Sequence, residues 1–77
     1  MENSNTYRIR VRGELSSKWS DRLGNMNITV DHSDKKGPVT TLVGRLRDQS
    51  ALAGVMSTLH ELHMPVLSVE CLDKPEE

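Results

Sequence analysis

The hydrophobic and polar positions of residues 48–71 predict a helix followed by a strand. Apolar residues recur there at steps of three and four, and this spacing places them on one side of a helix. They are Leu52, Val55, Met56, Leu59 and Leu62. Asp48 is positioned to cap the first turn. Pro65 disfavours helical geometry at the residue before it, so we expect the helix to end near His63 or Met64.

Alternation of apolar and polar residues predicts four strands around this helix. They are residues 7–15, 26–31, 39–47 and 66–72. A polar turn at residues 32–38, which contains Gly37 and Pro38, predicts a hairpin between the second and third strands. Residues 16–25 predict one helical turn that begins at Ser16 or Ser17 and ends at Gly24. In that turn Trp19 and Leu23 share a side and close one end of the core.

The element order β-β-β-α-β predicts an α+β domain of two layers. A three-stranded meander followed by a right-handed crossover gives a four-stranded mixed sheet in the order 3-2-1-4, with the helix on one face. In this arrangement the fourth strand is parallel to the first. We expect residues 7–72 to form a single domain, with a flexible tail at residues 1–6 and an acidic tail at residues 73–77.

One helix covers only one face of such a sheet, so the other face should be uncovered. The candidate interaction face comprises Arg8, Arg10, Arg12, Val43, Arg45 and Arg47. One interpretation is a solvated face, in which Glu14, Asp31 and Glu70 balance the arginines across strands. A second is a protein interface, because arginine is enriched at interfaces and Val39 and Val66 also point outward. It would be a two-fold dimer with stacked faces or joined edge strands. A third is a phosphate-binding surface.

Composition narrows these interpretations. A chain of 77 residues has a modest core that often needs a partner subunit, so a homodimer is expected. The single cysteine, Cys71, excludes an internal disulfide and fits a reducing cytoplasm. There is no long apolar run and no signal peptide, so we expect no membrane association. A net charge of −1 and only two aromatic residues, Tyr7 and Trp19, argue against nucleic-acid binding.

No group of residues indicates catalysis or a bound metal. His60 and His63 are three residues apart, whereas the HExxH motif places two histidines four apart on one helical face. Cys71 points inward in the predicted strand, and the local sequence supplies neither a base nor an oxyanion site. We therefore expect no catalytic, cofactor-binding or metal-binding residue, and no enzymatic activity.

Two segments, at residues 7–29 and 40–70, resemble a family of short bacterial proteins of unknown function. Its members share an opening strand ending in G-x-L, a W-[ST]-D segment, and a G-x-[LV]-x-D-Q-x-A-L-x-G block that closes in P-[LV]-[LIV]-S-V. The matching positions are Gly13, Leu15, Trp19, Ser20, Asp21, Gly44, Asp48, Gln49, Ala51, Leu52, Gly54, Pro65 and Ser68. The resemblance covers most of the chain and implies a cytoplasmic protein, but no particular activity.

Three functional hypotheses follow from these patterns. The first is a non-enzymatic interaction or regulatory module that forms a homodimer and modulates a protein partner. The second is a small-ligand sensor with a site between the Trp19 loop and the end of the helix. Gln49 is the second candidate contact, because its amide could bond to that loop. The third is nucleic-acid binding through the arginine-rich face.

Overall fold

The computed structural model describes residues 5–73, and their elements follow the predicted order, with a short helix at the predicted helical turn. These elements are strand β1 (Asn5–Arg12), 3-10 helix η1 (Ser17–Leu23), strands β2 (Asn27–Asp31) and β3 (Val39–Leu46), helix α1 (Gln49–Glu61) and strand β4 (Val66–Cys71). The prediction of an α+β fold is confirmed. Asn5 and Thr6 belong to β1 rather than to the predicted tail. The remaining tail residues, 1–4 and 74–77, lie outside the described residues.

Both helical segments begin at predicted caps, and η1 also ends as predicted. The side chain of Asp48 accepts a hydrogen bond from the Ala51 N–H at 2.9 Å and caps α1. Ser16 caps η1 by accepting from the Lys18 N–H, and Gly24 ends η1 in the left-handed region at φ 68°. Helix α1 ends at Glu61, slightly before the predicted end.

The predicted strand order 3-2-1-4 is wrong. The observed order is β2-β3-β1-β4, and every neighbouring pair is antiparallel, so the sheet is not mixed. Strands β1 and β3 pair along eight residues each, whereas β2 offers only five. Pairing the two long strands therefore satisfies more backbone groups than the predicted meander would.

Each helical segment connects two strands that run in the same direction with a third strand between them. Helix η1 connects β1 to β2 across β3, and α1 connects β3 to β4 across β1. This is the β-α-β-β-α-β arrangement called ferredoxin-like, with η1 in the place of the first helix. Such an arrangement is compatible with many functions, so function must be argued from particular side chains.

The core lies between the sheet and the two helical segments. Its fully or nearly fully buried members are Ile9, Val11, Leu15, Leu23, Met26, Leu42, Leu46, Val55 and Leu59. Trp19 is half-buried against this cluster and Leu23 is completely buried, which confirms that both close the core. Gly44 allows the β2 end to approach closely, because a Cβ at Gly44 would lie only 3.0 Å from Met26 Cα.

Strand β4 differs most from expectation. A β-bulge follows the Arg10–Ser68 pair, so Val66 lies opposite Val11 and shares the face of α1. The predicted outward orientation of Val66 is therefore wrong. Helix α1 packs mainly on η1 and β3, and it leaves the helix-side residues Val69 and Cys71 exposed. Cys71 is thus not a core residue.

Candidate functional site: the open face of the sheet

The side of the sheet that faces away from α1 and η1 is called the open face here. Residues paired across an antiparallel sheet point to the same side, and β1 sets its arginines opposite alternate residues of β3. Arg8 lies opposite Val43, Arg10 opposite Thr41, Arg12 opposite Val39, and Arg45 opposite Thr6. Four of the predicted arginines therefore share the open face with Val43, as expected. The fifth, Arg47, lies beyond the end of β3 in an exposed bend.

Arg8 and Arg12 have carboxylate partners among the described residues. Arg8 Nε donates to Glu70 Oε1 at 2.7 Å, and the guanidinium keeps the pKa of Glu70 below its ordinary value. Arg12 Nη1 lies 3.6 Å from Asp34 Oδ1 and donates to the Gly37 carbonyl oxygen at 3.1 Å, which ties β1 to the hairpin loop. Glu70 is one of the three carboxylates that the solvated-face interpretation expects to balance the arginines, whereas Asp34 is not. Of the other two, Asp31 accepts from Ser33, and Glu14 Oε2 lies 4.0 Å from His32 Nε2.

Arg10 differs from its neighbours. It is exposed, and within residues 5–73 its guanidinium makes no hydrogen bond or ion pair. It lies in the middle of a row that crosses three strands, with Thr41 on one side and Ser68 on the other. Arg10 is therefore the open-face cation best placed to meet a group from another molecule.

A depression of about 570 Å³ lies beside Arg10 on the open face. Its lining residues are Arg10, Asp31, Ser33, Asp34, Val39, Thr41, Leu67 and Ser68. The carboxylate of Asp31 accepts from the Ser33 hydroxyl at 2.7 Å and the Ser33 N–H at 2.9 Å, and these bonds lower the pKa of Asp31. The depression thus combines one cation, two carboxylates, hydroxyl groups and apolar side chains, a composition suited to a mixed polar and apolar segment.

Sequence reasoning missed the contribution of β4 to this depression. The bulge places both Leu67 and Ser68 at its border, although strict alternation predicts opposite sides for two successive residues. Ser68 Oγ is buried and has no hydrogen-bond partner among the described residues. Alternation along β3 puts Thr41 on the same side as Val39 and Val43, but its place beside Arg10 depends on the strand order.

The other candidate contacts lie away from the open face. The Trp19 ring packs against the core, and the Arg22 guanidinium lies 5.5 Å from the ring centroid, a cation–π arrangement. Gln49 is exposed in the first turn of α1, and the structure records no hydrogen bond between it and the Trp19 loop. Packing accounts for Trp19, and the ligand-sensor hypothesis stays a prediction.

Other residues with potential chemistry are dispersed. Within residues 5–73 no three His, Cys, Asp or Glu side chains are close enough together to hold a metal ion. His60 is exposed in the last turn of α1, and His63 follows the helix with a φ of 59°. No helix in the described part of the chain is long and apolar enough to cross a membrane.

Several positions that carry the family resemblance have structural roles. Asp48 caps α1, and Gly44 leaves room for Met26 because it has no Cβ. The Ser20 hydroxyl donates a hydrogen bond to the Met26 carbonyl oxygen at 2.8 Å. Gly13 adopts a φ of 114°, which a residue with a Cβ rarely adopts. The Pro65 carbonyl oxygen accepts from the Arg12 N–H at 2.9 Å. These contacts explain the five positions through folding alone.

Fold and open face together define a small two-layer α+β domain with one uncovered sheet face. The chain belongs to the family described as domain of unknown function DUF8691, whose model matches residues 6–70. The prediction of a family of unknown function is confirmed at this level, while the individual motifs stay a prediction. No curated protein and no solved structure matches the chain.

Proposed function

We propose that this protein is a non-enzymatic, cytosolic interaction module that self-associates and binds a protein partner through its open face. One observation carries the proposal. A whole face of the four-stranded sheet, bearing four arginines and two valines, has no covering element in the described part of the chain. An exposed Cys71 thiol is consistent with a reducing compartment.

The composition of the open face supports a protein partner. Val39 and Val43 are half-buried among the arginine stems, so the face offers apolar area as well as charge. Arg10, which has no ion pair within residues 5–73, lines the depression together with Asp31 and Asp34. This arrangement suits a segment that carries an acidic side chain opposite Arg10 and apolar side chains beside it.

The same charges disfavour a nucleic acid. Phosphate binding depends on cations that are free to replace counterions. Glu70 already forms an ion pair with Arg8, and Asp34 with Arg12, while Asp31 adds a carboxylate to the depression that Arg10 also lines. The face is therefore closer to neutral than its arginines alone suggest.

A charge-reversal experiment tests the proposal. The double variant R10E/R45E changes the open face, and the matched variant K35E/K36E makes the same charge change in the hairpin loop. Quantitative affinity capture from the native host should identify a protein that wild type and K35E/K36E retain and R10E/R45E loses. Equal capture by all three forms would contradict an open-face site.

A direct measurement addresses the nucleic-acid alternative. Fluorescence anisotropy with labelled duplex DNA and single-stranded RNA, at about 50 and 200 mM salt, should show no specific binding. Salt-sensitive binding that R10E/R45E abolishes and K35E/K36E keeps would replace the protein-partner proposal with nucleic-acid recognition.

A further inference from the structure

We propose that two copies of this chain join edge to edge through β4, in an antiparallel pairing whose two-fold axis passes between the two Val69 residues. This inference rests on the self-association in the proposed function and specifies its geometry. It concerns the edge of the sheet, whereas the proposed partner site concerns the open face.

Exposed apolar residues mark β4. The large hydrophobic side chains that are exposed in the described chain all belong to β4 or directly follow it: Val66, Leu67, Val69 and Leu72. Val69 is 42% exposed and Leu67 is 46% exposed. The opposite edge strand, β2, alternates half-buried Ile28 and Val30 with polar residues. Soluble proteins usually protect edge strands with charge, proline or a cover, so an apolar edge is suited to pairing with another chain.

The backbone of β4 also has groups available at this edge. The Leu72 N–H donates to the Thr6 carbonyl oxygen at 2.7 Å, and the Thr6 N–H donates to Asp73 Oδ2 at 3.1 Å, so the backbone groups of Thr6 and Leu72 point toward each other's strand. Hydrogen-bonded and non-hydrogen-bonded pairs alternate along an antiparallel ladder. Val69, opposite Ile9, and Cys71, opposite Tyr7, therefore belong to non-hydrogen-bonded pairs. Their N–H and C=O groups point away from β1, toward the free edge.

The negative charge of Glu70 favours one register for the pairing of β4 with β4 of the second copy. A two-fold antiparallel pairing centred on Glu70 would set two carboxylates directly opposite each other, which is unfavourable. Centring the pairing on Val69 sets Glu70 of each copy opposite Ser68 of the other. Arg10 is the next residue in that cross-strand row, on β1, and its guanidinium makes no ion pair within residues 5–73. Its charge already contributes to lowering the pKa of Glu70 in its own copy.

This register also satisfies Glu70 more fully. One carboxylate oxygen, Oε1, accepts from Arg8 of the same copy. In this register the carboxylate also faces the row that contains Ser68 and Arg10 of the other copy. The Val69 side chains, which α1 leaves exposed, meet across the axis on the helix side of the sheet. The dimer joins both open faces into one continuous eight-stranded surface.

Sedimentation equilibrium tests whether two copies associate through the β4 edge. Wild type should show a monomer–dimer equilibrium between about 10 and 500 µM, and V69K should weaken it by at least about tenfold. T29K, at an exposed position of the opposite edge strand, should leave the equilibrium unchanged. A wild-type protein that stays monomeric, or a dimer that T29K weakens and V69K does not, would overturn the proposal.

Disulfide formation tests the register independently of whether V69K folds. Directly paired residues have Cα atoms about 5.5 Å apart, which lies within the range that a disulfide spans. With Cys71 replaced by Ser, V69C should therefore form an intermolecular disulfide on mild oxidation. E70C in the same background should not, because the register separates the two copies of residue 70 beyond disulfide reach. Cross-linking of E70C alone would place the axis at Glu70 and overturn the inference.

The β4 dimer and the open-face partner site can be contradicted independently of each other. V69K should be monomeric, yet it should retain a one-to-one protein partner on the open face. R45E alone, which leaves the row of Arg10 unchanged, should weaken capture of that partner, and its V69C/C71S form should still cross-link through the backbone pairing. Loss of cross-linking with retained partner capture contradicts only the β4 dimer, and the reverse contradicts only the open-face site.

Discussion

The side chains of Arg8 and Glu70 join β1 to β4 on the open face, with Arg8 Nε donating to Glu70 Oε1 at 2.7 Å. The two residues lie directly opposite each other in the ladder. This contact is placed on an exposed surface, where ion pairs add little to stability. Its influence is therefore expected mainly in the titration of the carboxyl group.

The first prediction concerns that titration. Hydrogen bonding and charge from Arg8 lower the pKa of Glu70 below its ordinary value of 4.5. The resulting stabilisation is present above pH 4.5 and is lost as the pH falls through the lowered pKa. Carboxyl carbon NMR should show Glu70 titrating below 4.5 in wild type and closer to 4.5 in R8Q.

A thermal measurement complements the NMR titration. E70Q lacks the titrating group, so the difference in Tm between wild type and E70Q should narrow as the pH falls below the lowered pKa. A difference that grows with acidification would contradict this sign, as would a Glu70 pKa in R8Q no higher than in wild type.

The side of the sheet to which each β1 residue points was predictable from the sequence, but the order of the strands in the sheet was not. Strict alternation in β1 placed Arg8, Arg10 and Arg12 together, because successive side chains of a strand point to opposite sides. Alternation contains no information about which strand lies beside which. That choice depends on the matching lengths of β1 and β3 and on the path of η1, and both are long-range properties.

The depression around Arg10 was only partly predictable for the same reason. Arg10 was identified as an open-face residue, but Thr41 and Ser68 became its neighbours through the strand order. The bulge at β4 has no glycine or other local signal in residues 66–68, so the position of Leu67 was not predictable. The caps at Ser16 and Asp48 were predictable, because they depend on contacts within three residues.

The second prediction concerns Thr40, the buried polar residue in the core. Its Oγ1 accepts from the buried Leu15 N–H at 3.1 Å and donates to the Gly13 carbonyl oxygen at 2.6 Å. T40V keeps the shape but leaves both backbone groups without their partner, so it should lower the free energy of unfolding by about 1–3 kcal/mol. Urea denaturation followed by circular dichroism measures this change.

The adjacent position provides the control for that variant. Thr41 points to the open face, and T41V should change the free energy of unfolding by no more than about 0.5 kcal/mol. If T40V and T41V were equally stable, the hydroxyl of Thr40 would not be required by the turn after β1.

The third prediction contrasts two glycines. Gly54 lies on the exposed side of α1, where an added Cβ would meet nothing within 4 Å. G54A should therefore stabilise the protein by roughly 1 kcal/mol, the difference in helix propensity. At Gly44 the added Cβ would lie 3.0 Å from Met26 Cα, and G44A should destabilise the protein by about 1–3 kcal/mol.

Thermal and urea unfolding of both alanine variants measure this contrast. Opposite signs are expected because one methyl group enters solvent and the other enters a backbone contact. Stabilisation by G44A would show that β2 can move away from β3 at Met26 without loss, contrary to the close packing described above.

The fourth prediction separates the hydrogen bond and the charge of Asp48. Its carboxylate accepts from the Ala51 N–H at 2.9 Å at the N-terminus of α1. D48A removes the acceptor and should lower the free energy of unfolding by about 1 kcal/mol. D48N keeps an oxygen in the same place and removes only the charge, so its loss of unfolding free energy should be limited to the interaction with the helix dipole, about 0.3–1 kcal/mol.

Repeating the urea denaturation in high salt should reduce the loss of unfolding free energy in D48N and leave most of the loss in D48A, because salt screens the charge and not the hydrogen bond. Equal, salt-insensitive losses in both variants would mean that the asparagine oxygen does not replace the carboxylate as the cap.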